Sequence, residues 1–163
     1  MTLLLGYGAT LEGSGTERGR GGNGFGVGFG AAAGYDLSLF YFGARFMFFL
    51  GGAAEVGDVV VSRKETTLGL EAGIAFTLAR LTLRPQFGFG LAIESAERER
   101  QDVEGRAITG DDSSEDLYVA PGVAALYDLG DAVFIGLDAQ LPLIVADGTL
   151  IGLAVLGSAG MRF

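Results

Sequence analysis

A chain of 163 residues with no cysteine, no histidine, no tryptophan, 29 glycines and a formal charge of −9 is one domain by length, residues 1–163. It has no route to thiol or imidazole catalysis, disulfide scaffolds or Cys/His zinc sites. The excess of acid, 20 Asp and Glu against 11 Lys and Arg, excludes nucleic acid as a partner, because phosphate binding needs clustered cations. A mean hydropathy of +0.41 beside so much glycine points to lipid.

Lipid can be crossed by a helix of about 20 apolar residues or by alternating strands of about 9 to 11. The strongest helical run, Leu37 to Ala54, is interrupted by Gly43 and centred on Arg45, which costs a membrane helix about 2.5 to 3.5 kcal/mol. The start, Met1-Thr2-Leu3-Leu4-Leu5-Gly6, lacks the basic region and the length of a secretory signal. The expectation is that an export signal has been cut away ahead of Met1.

Strands fit far better, because a two-residue period gives each strand two unlike faces. At the N-terminus Leu3, Leu5, Tyr7, Ala9 and Leu11 oppose Leu4, Gly6, Gly8, Thr10 and Glu12. Next, Phe25, Val27, Phe29, Ala31, Ala33 and Tyr35 alternate with glycines and Ala32. Phe40, Phe42, Ala44, Phe46, Phe48 and Leu50 follow against Tyr41, Gly43, Arg45, Met47 and Phe49. Leu68 to Leu78 and Leu81 to Ile93 repeat the rule, with Glu71, Arg84, Gln86 and Glu94 on their second faces. Leu117 to Tyr127, Val133 to Leu141 and Ile151 to Phe163 complete eight strands, with Asp138, Gln140 and Arg162 on the second face. The apolar faces carry no charge.

The connections alternate as well. Asp36-Leu37, Ala79-Arg80 and Asp128-Leu129-Gly130 are short, and the last has Gly where a three-residue hairpin favours a left-handed residue. Gly13 to Asn23, Gly51 to Thr66 and Ser95 to Asp116 read as long polar loops at the other end, joined there by the tight turn Ala146-Asp147-Gly148. Short turns at one end and long loops at the other mark an outer-membrane barrel. A soluble β-sandwich or lipid-binding barrel also alternates, but its second face meets water and carries Lys, Glu, Thr or Ser. Here that face is mostly Gly and Ala, which suits a narrow closed interior. Tyr35, Phe40, Tyr127 and Phe163 fall at the short-turn ends and predict an interfacial aromatic ring. Pro85 and Pro121 sit inside strands, where bulges are the expected accommodation.

With these features the chain resembles the eight-stranded outer-membrane β-barrel family of OmpA, OmpX and OmpW type. The terminal Leu156-Gly157-Ser158-Ala159-Gly160-Met161-Arg162-Phe163 is similar to the family's assembly signal, with Met161 and Phe163 in the alternating positions and an aromatic end. The absence of Trp from the girdles departs from the pattern. The resemblance implies an all-β, antiparallel up-and-down transmembrane barrel in the bacterial outer membrane, with short periplasmic turns and longer extracellular loops. Its implied partners are outer-membrane lipids, lipopolysaccharide and the barrel-assembly machinery, and its implied state is a monomer.

Candidate chemistry concentrates on the second face. Barrel enzymes of this kind rely on a histidine that this sequence lacks, and the acids Glu71, Glu94 and Asp138 are matched by Arg45, Arg84 and Arg162. Three against three reads as a neutralised interior rather than a poised catalytic pair, so no enzyme and no cofactor is expected. Counting from the short turns puts Arg45, Glu71 and Asp138 at one height with Arg84 lower, a lumen charge network. Arg162 and Glu94 come nearer the mouths. The Gly24-Phe25-Gly26-Val27-Gly28 run is a strand with a glycine face, since no strand-to-helix transition follows it. Ser95 to Asp116 holds eight acids against Arg98, Arg100 and Arg106. It lacks the spacing of a full calcium loop and reads as a solvated acidic loop, with no metal expected. The functional expectation is a structural or surface-interaction barrel with a narrow, salt-bridged, largely plugged lumen. The alternative is a small channel or conduit for ions or apolar molecules, favoured by Tyr41, Met47, Phe49, Tyr118, Leu126 and Leu156 on the inner face.

Overall fold

The computed structural model describes residues 1–13, 25–56, 59–101, 107–145 and 149–162. Ten strand segments follow the chain: β1 Thr2–Gly13, β2 Gly26–Leu37, β3 Phe40–Val56, β4 Val59–Ile74, β5 Phe76–Leu78, β6 Leu81–Gln101, β7 Ala107–Asp128, β8 Val133–Gln140, β9 Leu143–Val145 and β10 Thr149–Met161. Both β4 with β5 and β8 with β9 form one wall strand each, because their pairings keep one register across the break. Eight wall strands therefore run up and down, and β1 pairs with β10 from Thr2↔Gly160 onward to close the ring. Closure leaves no edge within the wall, the condition for a sheet to stand in lipid. Among the described residues no helix is long and apolar enough to cross a membrane.

Alternation decides which side chains point out. Leu3, Leu5, Phe42, Phe46, Leu68, Leu70, Phe87, Phe89, Leu137 and Val155 are all exposed, while Leu4, Met47, Ala92, Tyr118 and Leu156 are buried inside the ring. The outward apolar series on β6 runs from Leu81 to Ile93. At about 3.3 Å per residue and a tilt of about 40°, that is a belt about 30 Å high, the thickness of a bilayer's hydrocarbon core. Tyr35, Phe40 and Tyr127 are exposed at the short-turn end, whereas Phe163 lies outside the described residues.

Three expectations are corrected. The stretches Gly51 to Thr66 and Ser95 to Asp116 are largely strand: β3 and β4 pair up to Val56↔Val59, and β6 and β7 up to Gln101↔Ala107. Charged and polar composition marks where a hairpin leaves the lipid, and it does not stop the ladder from continuing into water. Phe25 is fully buried in the lumen instead of facing out. It precedes Gly26, whose φ of +144° is a conformation that L side chains rarely adopt, and this turns Phe25 inward just before the alternation begins.

The third correction concerns the prolines, which need no bulge. The β6–β7 register passes Pro85 and Pro121 unshifted. Each proline instead lies opposite a break in the neighbouring wall strand: Pro85 opposite Ile74 at the β4/β5 interruption, and Pro121 opposite Leu141 at the β8/β9 interruption. A missing N–H removes one rung there and the ladder resumes on the far side. The two-residue turns put Ser38 (φ 56°) and Ala79 (φ 53°) in the left-handed region usually taken by glycine.

Candidate functional site

The inner faces of β3, β4, β6 and β8 bring four charges and two amides together. Arg45 on β3 forms an ion pair through Nε with Glu71 on the adjacent β4. Its terminal nitrogens reach Asp138, with Nη2 donating to Oδ2 at 2.7 Å and Nη1 to Oδ1 at 3.2 Å. Since β8 is four wall strands from β3 in either direction, this fork spans the whole width of the ring. Arg45, Glu71 and Asp138 are 2–3% exposed. Desolvating such charges costs several kcal/mol each, so the pairing has to supply what water no longer does.

Two glutamines complete the arrangement. Gln86 Nε2 donates to Asp138 Oδ2 at 2.8 Å, and Gln140 Nε2 donates to Glu71 Oε1 at 3.0 Å. Sequence reasoning placed both on the inner face without a role. The available signal was their register: Gln140 is two residues from Asp138 on one strand, and Gln86 is two from Arg84 on another. Arg84 does not reach either carboxylate. Its Nε donates to Gln86 Oε1 at 2.9 Å and its guanidinium stacks 3.6 Å from the Tyr41 ring centroid, so it joins the network through an amide. Two cations and two carboxylates leave the assembly neutral.

The outer charges sit apart from this centre. Arg162 Nη1 contacts both oxygens of Asp128 at 2.7 and 2.8 Å and lies over the Phe134 ring at the short-turn end. Towards the loop end, Arg63 Nη1 donates to Glu94 Oε1 at 3.1 Å. Around and above the Arg45 network lies an apolar cluster. Leu4, Phe25, Met47, Phe49, Ile144, Leu150 and Leu156 belong to one buried cluster, with Phe25 and Phe49 edge to face at 5.2 Å. Small residues on the facing walls receive these rings: a Cβ on Gly152 would stand 2.5 Å from Phe25 Cε2.

Met161, the described part of the terminal pattern, faces outward and its backbone exchanges hydrogen bonds with Met1 at the ring closure. Among the described residues no group of three or more acidic side chains could hold a metal ion. The segment 102–106 and the side chains at 98–109 and 111–112 lie outside the described part of the chain.

A closed eight-stranded ring with an apolar belt and a charge-paired interior is the fold of transmembrane outer-membrane β-barrels. No protein-family model and no curated protein matches the sequence, but solved structures match the fold. The chain is similar to a major outer membrane protein from Thermus thermophilus, with a TM-score of 0.65 and 12% identity over 99% of this chain and 100% of that one. Ail, the attachment invasion locus protein of Yersinia pestis, aligns with a TM-score of 0.63 and 16% identity over 99% and 97%. Neisserial surface protein A aligns with 0.61 and 16% over the same shares.

Proposed function

We propose that this protein is an integral outer-membrane barrel of structural or surface-interaction type, without enzymatic activity, whose lumen is closed to ions by its own side chains. The observation that carries this reading is the Arg45–Asp138 fork across the full ring, tied to Glu71 on the adjacent strand. An ion passing that level has to break a desolvated pair, and removing one partner from such a pair costs about 3–5 kcal/mol. Outer-membrane lipids and lipopolysaccharide meet the belt. The hairpins that extend β3–β4 and β6–β7 past the belt carry the surface role. One solved Ail structure holds the heparin analogue sucrose octasulfate. The β6–β7 hairpin here, with eight acids against three arginines between Ser95 and Asp116, repels a sulfated sugar and favours a cationic or neutral partner.

Planar-bilayer recording tests the closed lumen. Wild-type monomer is expected to give rare, small openings, and Arg45→Ala or Glu71→Ala to raise their frequency. Large, steady currents from the wild type would replace this reading with the channel. Assembly has its own test. In cells, deleting Phe163 is expected to lower outer-membrane insertion several-fold while refolding in detergent stays largely intact, in line with a terminal aromatic read by the barrel-assembly machinery. Equal insertion of the two chains would remove that role.

A further inference from the structure

Two adjacent seams of the wall each lose a hydrogen bond beside the same short segment, and the apolar interior lies directly behind it. In the β7–β8/β9 seam, Leu141 N donates to Pro121 O at 2.9 Å. The reciprocal bond, from residue 121 to the Leu141 carbonyl, is impossible because proline has no N–H. In the next seam, β8/β9 to β10, Gly152 N donates to Pro142 O at 2.8 Å, and again the return donor is a proline. Two of the chain's three prolines therefore each remove one rung from adjacent seams, on either side of the same short segment. That segment, β9, is three residues long and is held by three pairs to β7 and three to β10. By contrast, β4 pairs with β6 without interruption from Val59 to Gly73.

Both sides of the weak segment are apolar. Leu141 and Val145 face the lipid, while Ile144, Pro142 and Ala120 are buried on the lumen side. Behind them stand Leu150, Ala154 and Phe25, the last seated against Gly152. No charge lies on either face of Leu141–Val145, so moving it exposes only apolar side chains and a few backbone groups. The Arg45 network is lower in the barrel, and displacement of β9 leaves its ion pairs untouched.

We propose that Leu141–Val145 is a lateral hatch, through which an acyl chain from the surrounding lipid enters the apolar cluster by displacing Phe25. The ligand class is a single unbranched hydrocarbon tail, and the route runs between lipid and lumen without using either mouth. The inference is independent of ion closure by Arg45, because the hatch opens above that level and sideways.

The chain's lack of cysteine makes single-thiol reporters clean. Ile144→Cys and Thr67→Cys, the second behind the continuous β4–β6 wall, are reconstituted in phosphatidylcholine vesicles. Each is treated with a membrane-partitioned alkyl maleimide or with a charged, water-soluble one. Ile144→Cys is expected to react with the lipid-borne reagent at least tenfold faster than Thr67→Cys, and at least tenfold faster than with the charged reagent. Restoring donors with Pro121→Ala and Pro142→Ala is expected to slow it about tenfold. If these prolines prove essential to folding, amide hydrogen exchange on the unaltered barrel serves instead, with Leu143 and Val145 expected to exchange at least tenfold faster than Leu68 and Leu70. Equal protection of the two thiols, faster reaction from the water side, or uniform exchange would each overturn the hatch.

Discussion

Arg45→Ala is expected to destabilise the folded barrel by about 3–5 kcal/mol, the cost of leaving buried carboxylates without their cation. Glu71 and Asp138 are almost wholly inaccessible, so water cannot take over the role of the guanidinium without rearranging the interior. The glutamines do not replace it, since each donates only one bond to one carboxylate. Urea titration of the protein in lipid vesicles, followed by circular dichroism, gives the measurement. The quadruple variant Arg45→Met, Arg84→Met, Glu71→Gln, Asp138→Asn is expected to recover most of the loss, because a neutral interior of similar volume has no stranded charge. A loss below about 1 kcal/mol for Arg45→Ala would mean that the network contributes little.

The second large effect is on solubility. Side chains such as Leu3, Leu5, Phe42, Leu68, Leu70, Phe89, Leu117 and Leu137 are half exposed or more, and together they circle the ring. A soluble monomer seldom shows a contiguous apolar patch above a few hundred Å², and a continuous belt about 30 Å high far exceeds that. On removal of detergent the protein is expected to leave the monomer peak entirely in gel filtration, and to return when detergent is present during refolding. A monodisperse, β-rich monomer in plain buffer would overturn the membrane assignment.

Much of this architecture is legible in the sequence, because one rule acts locally and repeatedly. Each strand residue chooses lipid or lumen by parity, so Phe40 and Tyr41, or Leu70 and Glu71, are separated with no knowledge of the rest of the chain. The rule fails where backbone geometry changes. Parity places Phe25 outside, yet the turn at Gly26 sends it into the lumen, and no periodicity encodes that φ. It also fails at the waterline: Ser95 to Gln101 continues a strand, because hydrogen bonding to β4 and β7 is indifferent to side-chain polarity. In the lumen, counting residues from the turns brings Arg45, Glu71 and Asp138 to a common height. It does not show that Arg84 spends its donor on Gln86 and its face on Tyr41. Those choices depend on rotamers and on which ring lies opposite, and neither is written along one strand.

The ring closure of β1 on β10 has a kinetic side. Every other seam joins wall strands that follow one another along the chain, so each can form as a hairpin between neighbours in sequence. Only Thr2↔Gly160 and its successors bring the two ends of the sequence together. The entropy of closing so long a loop grows only logarithmically, about 0.6 kcal/mol for each doubling of length, so equilibrium is barely penalised. The search is another matter, because non-local pairings form late. Until this last seam zips, the outer edges of β1 and β10 present unpaired amides to hydrocarbon at several kcal/mol per group. The open sheet is therefore a high-energy species that has to be either short-lived or sheltered at its two edges while it folds.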